Sequence, residues 1–243
     1  MNHTIDSLKN HRVYRHFKAC ALMPKSDVQT IIDCARQAAS WMNGQHYTII
    51  NITDPALRSE ITALQPANPQ IGTCSTFLIF IADLHRAELC AQACGTDFNA
   101  AHSDHLITAV TDVSLAAQNA VVAAESMGYA TCYIGGIRFI AADIIRLLGL
   151  PKHTFPVFGL CIGTPDIEMR VKPRLPEQTV YAENRYPDDP TLSDGLAAYE
   201  ATMTEFGEAR EKLPYREKFA RYYSSHEPEN EPLIYRQGWL VEP

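Results

Sequence analysis

No run of about eighteen apolar residues occurs anywhere in these 243 residues, so no segment is read as a membrane span. Residues 1–20 carry His3, Asp6, Lys9, His11 and Arg12 and no apolar stretch; no secretory leader is read, and the expected compartment is the cytoplasm. Positive charge is in deficit. The 21 Lys and Arg face 28 Asp and Glu, and the net charge of −7 argues against nonspecific binding to nucleic acid or an anionic membrane. It leaves room for a local basic pocket. The seven cysteines are odd in number and irregularly spaced, with no C-x-x-C pair, in a chain too large to need disulfide staples. Reduced, mostly buried thiols are expected. Internal repeats and low-complexity tracts are missing. So are a G-x-G-x-x-G after a strand, a P-loop and a G-x-S-x-G, which leaves no dinucleotide fingerprint and no recognisable nucleophile. What is there is 46% hydrophobic residues, enough for one large α/β or α+β domain or a domain with an added arm.

The stretch Thr108–Arg138 is the organising one. Val110, Val113, Leu115, Ala117, Val121, Val122, Ala124 and Met127 put apolar atoms on nearly every helical face, the pattern of a buried helix. Asp112, Gln118, Asn119 and Glu125 interrupt it too often for a membrane span. Gly128 ends the helix. Ala130–Ile134 is a short strand. Gly135 and Gly136 follow it, with no Cβ to keep a flat ligand from the backbone amides, so a pocket at a strand end is expected.

Elsewhere, a short helix capped by Asp6 or Thr4 is predicted through Asn10, and another over Pro24–Ala39. Ser40–Gln45 reads as a loop and His46–Thr53 as a strand. Asp54-Pro55 opens a helix to about Leu64. Gln65–Cys74, with two prolines and a glycine, reads as a loop. Thr76–Ala82 is a continuous apolar run, a fully buried central strand. Ile140–Leu148 is a helix closed by Gly149, and Phe155–Ile162 a second buried strand. Aliphatic residues thin out after Tyr186. The chain is therefore read as a core over residues 1–186 and a helix-and-loop arm over 187–243, part of the same domain. Within the arm Leu213–Tyr223 forms an amphipathic helix and His226–Pro232 an extended linker.

Two basic clusters stand far apart in sequence. His11, Arg12, Arg15, His16 and Lys18 are interleaved with Tyr14 and Phe17, and read either as a solvated face or as an anion clamp. Lys172 and Arg174 flank Pro173, which fixes the backbone and so holds the two cations. Joined by the fold, the clusters would neutralise a phosphate, and Gly135-Gly136 would offer N–H groups to the ring of the same ligand. His85, Cys90, Cys94, His102 and His105 are metal-ligand types. Without C-x-x-C or H-E-x-x-H spacing, buried thiols and surface imidazoles weigh against a metal site. Phosphate cations beside an amide-lined pocket, with no nucleophile, fit a reaction carried by a cofactor.

Six segments occur in a fixed order: HRVYRHF (His11–Phe17), AQNAVVAAESMG (Ala117–Gly128), YIGGIR (Tyr133–Arg138), FPVFGLCIGTP (Phe155–Pro165), KPRLP (Lys172–Pro176) and ENRY (Glu183–Tyr186). Together they resemble the flavin reductase branch of the nitroreductase family, over about residues 8–187. The resemblance implies an α+β, FMN-binding fold: a mixed or antiparallel central sheet flanked by helices, with a C-terminal helical and extended arm. It implies a homodimer with FMN at the interface, and NADPH, or NADH, as electron donor. It also implies ping-pong hydride transfer through FMN N5 to a nitroaromatic, quinone or flavin acceptor. His11, Arg12, Lys172 and Arg174 look like phosphate and ribityl ligands, and Arg15 like the cation near N1 and O2. Gly135 looks like the amide donor to N5, within Tyr133-Ile134-Gly135-Gly136. Ser40 and Gln45 sit where relatives hold the ribityl chain and ring, and Asn68 and Gln70 where they line the pyrimidine edge. Arg210 and Arg221, with Lys212 or Arg216 as alternatives, look like ligands of the NADPH 2′-phosphate; a Glu217–Arg221 surface pair is the competing reading. Val13, Trp41-Met42 and Asn68 depart from the family pattern, where a serine, small polar residues and a glutamine are usual. Three readings stand beside the leading one: a flavin reductase or narrow-substrate reductase, a flavin-binding module without turnover, and a metal-binding module using the His85–His105 cluster.

Overall fold

The computed structural model describes residues 2–207, 212–224 and 230–241. The chain forms two compact units, residues 1–169 with 228–243, and residues 170–227. Compactness thus divides the chain elsewhere than composition does.

The first unit is built on four strands, β1 (Tyr47–Asn51), β2 (Thr76–Asp83), β3 (Ala130–Ile134) and β4 (Thr154–Gly163). They form one antiparallel sheet in the order β1-β2-β4-β3. β2 lies inside the sheet and is buried along its whole length. Its continuous apolar run has the alternation of a strand covered on both faces. Leu78, Phe80 and Ala82 enter one core cluster, and Phe77, Ile79 and Ile81 the other. β4 is internal yet contains Pro156. The register shifts there, so that Phe80 pairs with Phe158 and Ile81 with Pro156. A proline survives in an inner strand at such a bulge because no ladder N–H is required of it.

The helices of this unit are α1 (His3–Lys9), α2 (Lys25–Arg36), α3 (Pro55–Leu64), α4 (Gln70–Thr73), α5 (His85–Cys94), α6 (Ser103–Ser126) and α7 (Ala141–Leu148). α2 and α6 cover one face of the sheet; α3, α4 and α7 supply Ile61, Ile71 and Ile144 to the other. Local chemistry sets most of the ends. Asp54 caps α3, accepting from Ala56 N at 2.8 Å, with Pro55 at the first helical position. Asn2, rather than Asp6 or Thr4, caps α1 by accepting from Ile5 N at 3.0 Å. α6 begins ahead of Thr108 because the His102 ring accepts from Asp104 N at 3.2 Å. The loop predicted over Gln65–Cys74 contains the single turn of α4.

α6 is long and apolar enough, by length and composition alone, to cross a membrane, but it packs on the sheet. Small residues make this close packing possible: Ala109, Ala116, Ala117, Ala120 and Ala124 are fully covered. The burial is not all-round. Ile107 is 62% and Leu115 43% exposed. The cysteines also differ from expectation. All seven are free, but Cys20, Cys90 and Cys94 are exposed and only Cys74, Cys132 and Cys161 are buried.

The second unit comprises α8 (Glu177–Val180), α9 (Asp189–Phe206) and α10 (Tyr215–Ser224). Asp188 caps α9 by accepting from Thr191 N at 3.0 Å. Gly195 lets α8 approach; a Cβ there would stand 2.3 Å from Thr179 Cγ2. Arg216 binds both carboxylate oxygens of Glu200 and joins α10 to α9, which lowers the Glu200 pKa and raises that of Arg216.

The chain then returns to the first unit through α11 (Glu231–Arg236). Residues 226–229 of the predicted linker lie outside the described residues, and Glu231-Pro232 is helical. Trp239 is fully buried in the core cluster that contains α2 and α6. Gln237 Nε2 donates to Pro151 O at 3.2 Å and Thr154 O at 3.1 Å. The tail is core here, where its composition predicted an arm.

Candidate active site

β3 positions the central part of the site. At its end Gly135–Ile140 forms a 3-10 turn. A Cβ on Gly135 would lie in ordinary contact with the Arg138 guanidinium, at 3.6 and 3.7 Å, so the residue is half-buried against a cation. Gly136 is different. A Cβ there would stand 2.4 Å from Gln65 Oε1, so its missing side chain makes room for an amide of the protein and not for a ligand. Gln65 Nε2 donates to Gly136 O at 2.8 Å, Asn68 Nδ2 to Gln65 Oε1 at 3.1 Å, and Gln70 Nε2 to Asn68 Oδ1 at 3.2 Å. The fold therefore gathers Asn68, Gln70, Gly135 and Gly136, and adds Gln65. Ile134 is buried, and Tyr133 packs edge-on against Phe158 with centroids 5.1 Å apart. Burial, then the charge of Glu125, pushes the Tyr133 phenol up, so it stays protonated and neutral.

The N-terminal basic segment runs beside the start of the same strand. Val13 bridges to Thr131 and Phe17 to Pro165, and Tyr14 N donates to Thr131 O at 3.0 Å. Val13 is thus a packing residue of this edge. His11 Nδ1 donates to Glu125 at 2.8 Å, and Thr131 Oγ1 donates to the same carboxylate at 2.6 Å. Arg12 is paired with Glu168 at 2.7 Å and also donates to Met169 O at 3.0 Å. Arg15 is half-buried, and among the described residues nothing binds its guanidinium. At about 3.3 Å per residue, Thr131 and Gly135 are roughly 13 Å apart. One strand thus sets a cationic segment and a glycine turn that far apart.

Ser40 and Gln45 lie elsewhere. They bound a loop that leads into β1, at the sheet edge opposite β3. Ser40 Oγ accepts from Gln45 N at 3.1 Å. Asp112 of α6, 2% exposed, holds the loop: Trp41 N and His46 N donate to it at 3.0 and 3.1 Å, and His46 Nδ1 at 2.8 Å. Met42, Asn43 and Gln45 have positive φ, so the loop is a strained conformation that needs such an anchor. Asp112→Ala is expected to destabilise the fold by about 2–3 kcal/mol, measured by urea unfolding, because it leaves three donors without their charged acceptor. Asp112→Asn, which keeps an acceptor, is expected to lose about half as much.

In the second unit the Lys172–Pro176 segment is fastened by Tyr199, whose hydroxyl donates to Pro173 O at 2.9 Å. A cavity of about 470 Å³ within this unit is lined by Lys172, Lys212, Lys218, Tyr199, Tyr215 and Phe219. Arg174 is exposed. Arg221 pairs with Glu217 one helical turn away, and Arg216 is held by Glu200. Arg210 lies outside the described residues. The His85–His105 region is dispersed: His85 binds Glu88 at 3.1 Å, His102 caps α6, and Cys90 and Cys94 face solvent. Among the described residues no group of three or more His, Cys, Asp or Glu is placed to hold a metal ion. The sequence reading missed Gln65 and Asp112. Asp112 was visible as a carboxylate in the middle of an apolar helix; Gln65 carried no signal before the turn was built.

Known proteins resemble this arrangement over its whole length. The chain is 36% identical to the oxygen-insensitive NADPH nitroreductase of Salmonella typhimurium, covering 99% of this chain and 100% of that protein. It is 35% identical to the FMN reductase (NADPH) of Bacillus subtilis over 85% and 84% of the two chains. The solved structure of the NADPH:FMN oxidoreductase from Vibrio harveyi complexed with NAD+ superposes with a TM-score of 0.90 at 30% identity, covering both chains in full. The description of the nitroreductase family fits residues 8–164, and that of the family's C-terminal domain residues 172–242. Since the order of elements, the strand that sets the site and the full-length relatives agree, the chain belongs to the nitroreductase family.

Proposed function

We propose that the protein is an FMN-dependent NAD(P)H oxidoreductase acting on nitroaromatic, quinone or flavin acceptors. The observation that carries this reading is the layout along β3, with Arg15, unpaired among the described residues, beside its start and the half-buried Gly135 turn at its end. When bound, FMN supplies two-electron hydride chemistry at N5, taking from NAD(P)H and giving to the acceptor in a ping-pong sequence. The chain's residues need only bind, orient and balance charge. Arg15 places a full positive charge where negative charge develops at the pyrimidine end of the ring. Gly135 would offer its N–H to FMN N5. His11, its ring fixed by Glu125, offers its other nitrogen to the phosphate end. Arg12 is reached by phosphate only in competition with Glu168. Lys172 and Arg174 enter as phosphate ligands from the order of the motifs alone.

Ser40 and Gln45 support a homodimer. They precede one edge strand and Gly135 follows the other, three strand spacings or roughly 14 Å across the sheet. A second copy bringing its own Ser40–Gln45 loop meets that geometry, and Trp41, Met42, Ile107 and Leu115 offer it an exposed apolar surface. The exposed Trp41 favours a role in selecting the acceptor. For the donor, Lys212, which lines the cavity of the second unit, is the candidate for the 2′-phosphate, since Glu217 already engages Arg221. This reading makes the arm ahead of residue 225 a nucleotide-binding and dimer-wrapping segment, while residues 230–241 serve the core. Seven free cysteines suit a reducing, cytoplasmic setting.

Anaerobic titration of the purified protein, first with NADPH and then with NADH, tests the reading. A yellow preparation bleached by about one equivalent of NADPH supports it and fixes the donor preference. A yellow preparation bleached by neither nucleotide overturns turnover and leaves a flavin-binding module.

A further inference from the structure

The turn that carries Gly135 is held from outside its own backbone. Gln65, 7% exposed, lies at the end of α3 and sends its side chain to Gly136 O, at 2.8 Å. Its Oε1 accepts from Asn68, and Asn68 Oδ1 accepts from Gln70, which is 3% exposed. All three amides therefore run the same way, each donating toward the glycine carbonyl. Such a chain polarises along its length and strengthens its last bond. Gly136 is shaped to receive it, because any Cβ would collide with Gln65 Oε1 at 2.4 Å and Asn68 Nδ2 at 2.9 Å. Two consecutive glycines are also the least restrained backbone a chain can offer. The 3-10 turn restrains this backbone from within, and the bond to the Gly136 carbonyl adds a restraint from outside.

We propose that Gln65 is a positioning residue for hydride transfer: by anchoring the Gly136 carbonyl, it aims the Gly135 N–H at the flavin. The proposal rests on the FMN reading above. Gln65 acts through the turn and touches neither flavin nor substrate. Its partner Asn68 supplies the second acceptor-to-donor step, and Gln70 orients Asn68 from beneath, where its amide also lies 3.8 Å from Cys132 Sγ. The chain makes a prediction that general packing does not. A glutamine at 68, one methylene longer, fits the space vacated when residue 65 is shortened, and it restores a donor to Gly136 O.

The test uses the full-length, FMN-loaded protein and three variants: Gln65→Met, which keeps the volume and removes the donor; Gln65→Ala; and Gln65→Ala with Asn68→Gln. Stopped-flow reduction by NADPH separates the hydride-transfer rate constant from the NADPH dissociation constant, and a dye-equilibrium titration gives the flavin midpoint potential. Loss of one aligned hydrogen bond is expected to lower the rate constant about tenfold in both single variants, with the NADPH dissociation constant unchanged. The midpoint potential is expected to fall by about 30 mV, the two-electron equivalent of tenfold. The double variant is expected to recover most of both. An unchanged rate constant and potential in Gln65→Met overturns the proposal. So does a loss that the double variant fails to restore, or failure of both single variants to fold, since Gln65 would then serve the fold alone. The cofactor reading fails separately and earlier, if wild-type protein takes up no FMN.

Discussion

Replacing Trp239 with alanine is expected to lower the free energy of unfolding by about 3–5 kcal/mol, the usual range for truncating a buried aromatic. The indole is fully buried in the cluster that joins α2, α6 and the sheet, with Leu233 and Ile234 packed against the same cluster. Alanine leaves a cavity that rigid strands on one side and the alanine-rich face of α6 on the other cannot close. Trp239→Phe is expected to cost less, because the indole N–H has no partner among the described residues and only volume is lost. Val241→Ala, at 72% exposure, serves as the control and is expected to move stability by less than about 0.5 kcal/mol. Urea unfolding followed by far-UV circular dichroism checks the series. A midpoint for Trp239→Ala that matches wild type would mean that the last residues do not belong to the core.

The second large effect is expected at Arg15. Arg15→Ala should slow reduction of bound FMN by NADPH about 100-fold, the scale seen when a preorganised group facing developing charge is removed. Arg15→Lys should restore part of it, keeping the charge while losing the planar fork. Arg12→Ala gives the contrast. Its guanidinium is paired at 2.7 Å with Glu168, whose side chain is 76% exposed; once Arg12 is gone that carboxylate is screened by water, and a smaller slowing is expected. Rapid-reaction traces on the three variants decide the matter. An Arg15→Ala protein that keeps its flavin and reduces it at the wild-type rate would place the working cation elsewhere.

Much of this fold was legible because local signals agreed with tertiary ones. Thr76–Ala82 was apolar without interruption and became the buried inner strand. Asp54-Pro55 and Gly149 marked helix ends that the structure keeps. The basic residues at 11–15 and the glycine pair were found as types, and the fold sets them along one strand. What sequence could not show was which charges are already spent. Arg12 and Arg216 look like Arg15 in the chain, yet each is bound to a carboxylate that only folding brings near, while Arg15 has no such partner among the described residues. The amide run from Gln70 to Gly136 was invisible for the same reason, since its last bond crosses 71 positions of sequence. The tail was misread because one tryptophan among charged residues weighs little in composition and much in a core.

The return of residues 230–241 to the first unit changes what kind of object the second unit is. It is an insertion with two tethers, not a free tail. Closing a loop fixed at both ends costs little extra entropy as the insert grows. Evolution can therefore lengthen, shorten or reshuffle residues 170–227 to suit a new substrate while the scaffold stays fixed. A protein nicked inside this insert would still hold its carboxyl-terminal fragment, clasped by Trp239 and Gln237 as a plug in a socket.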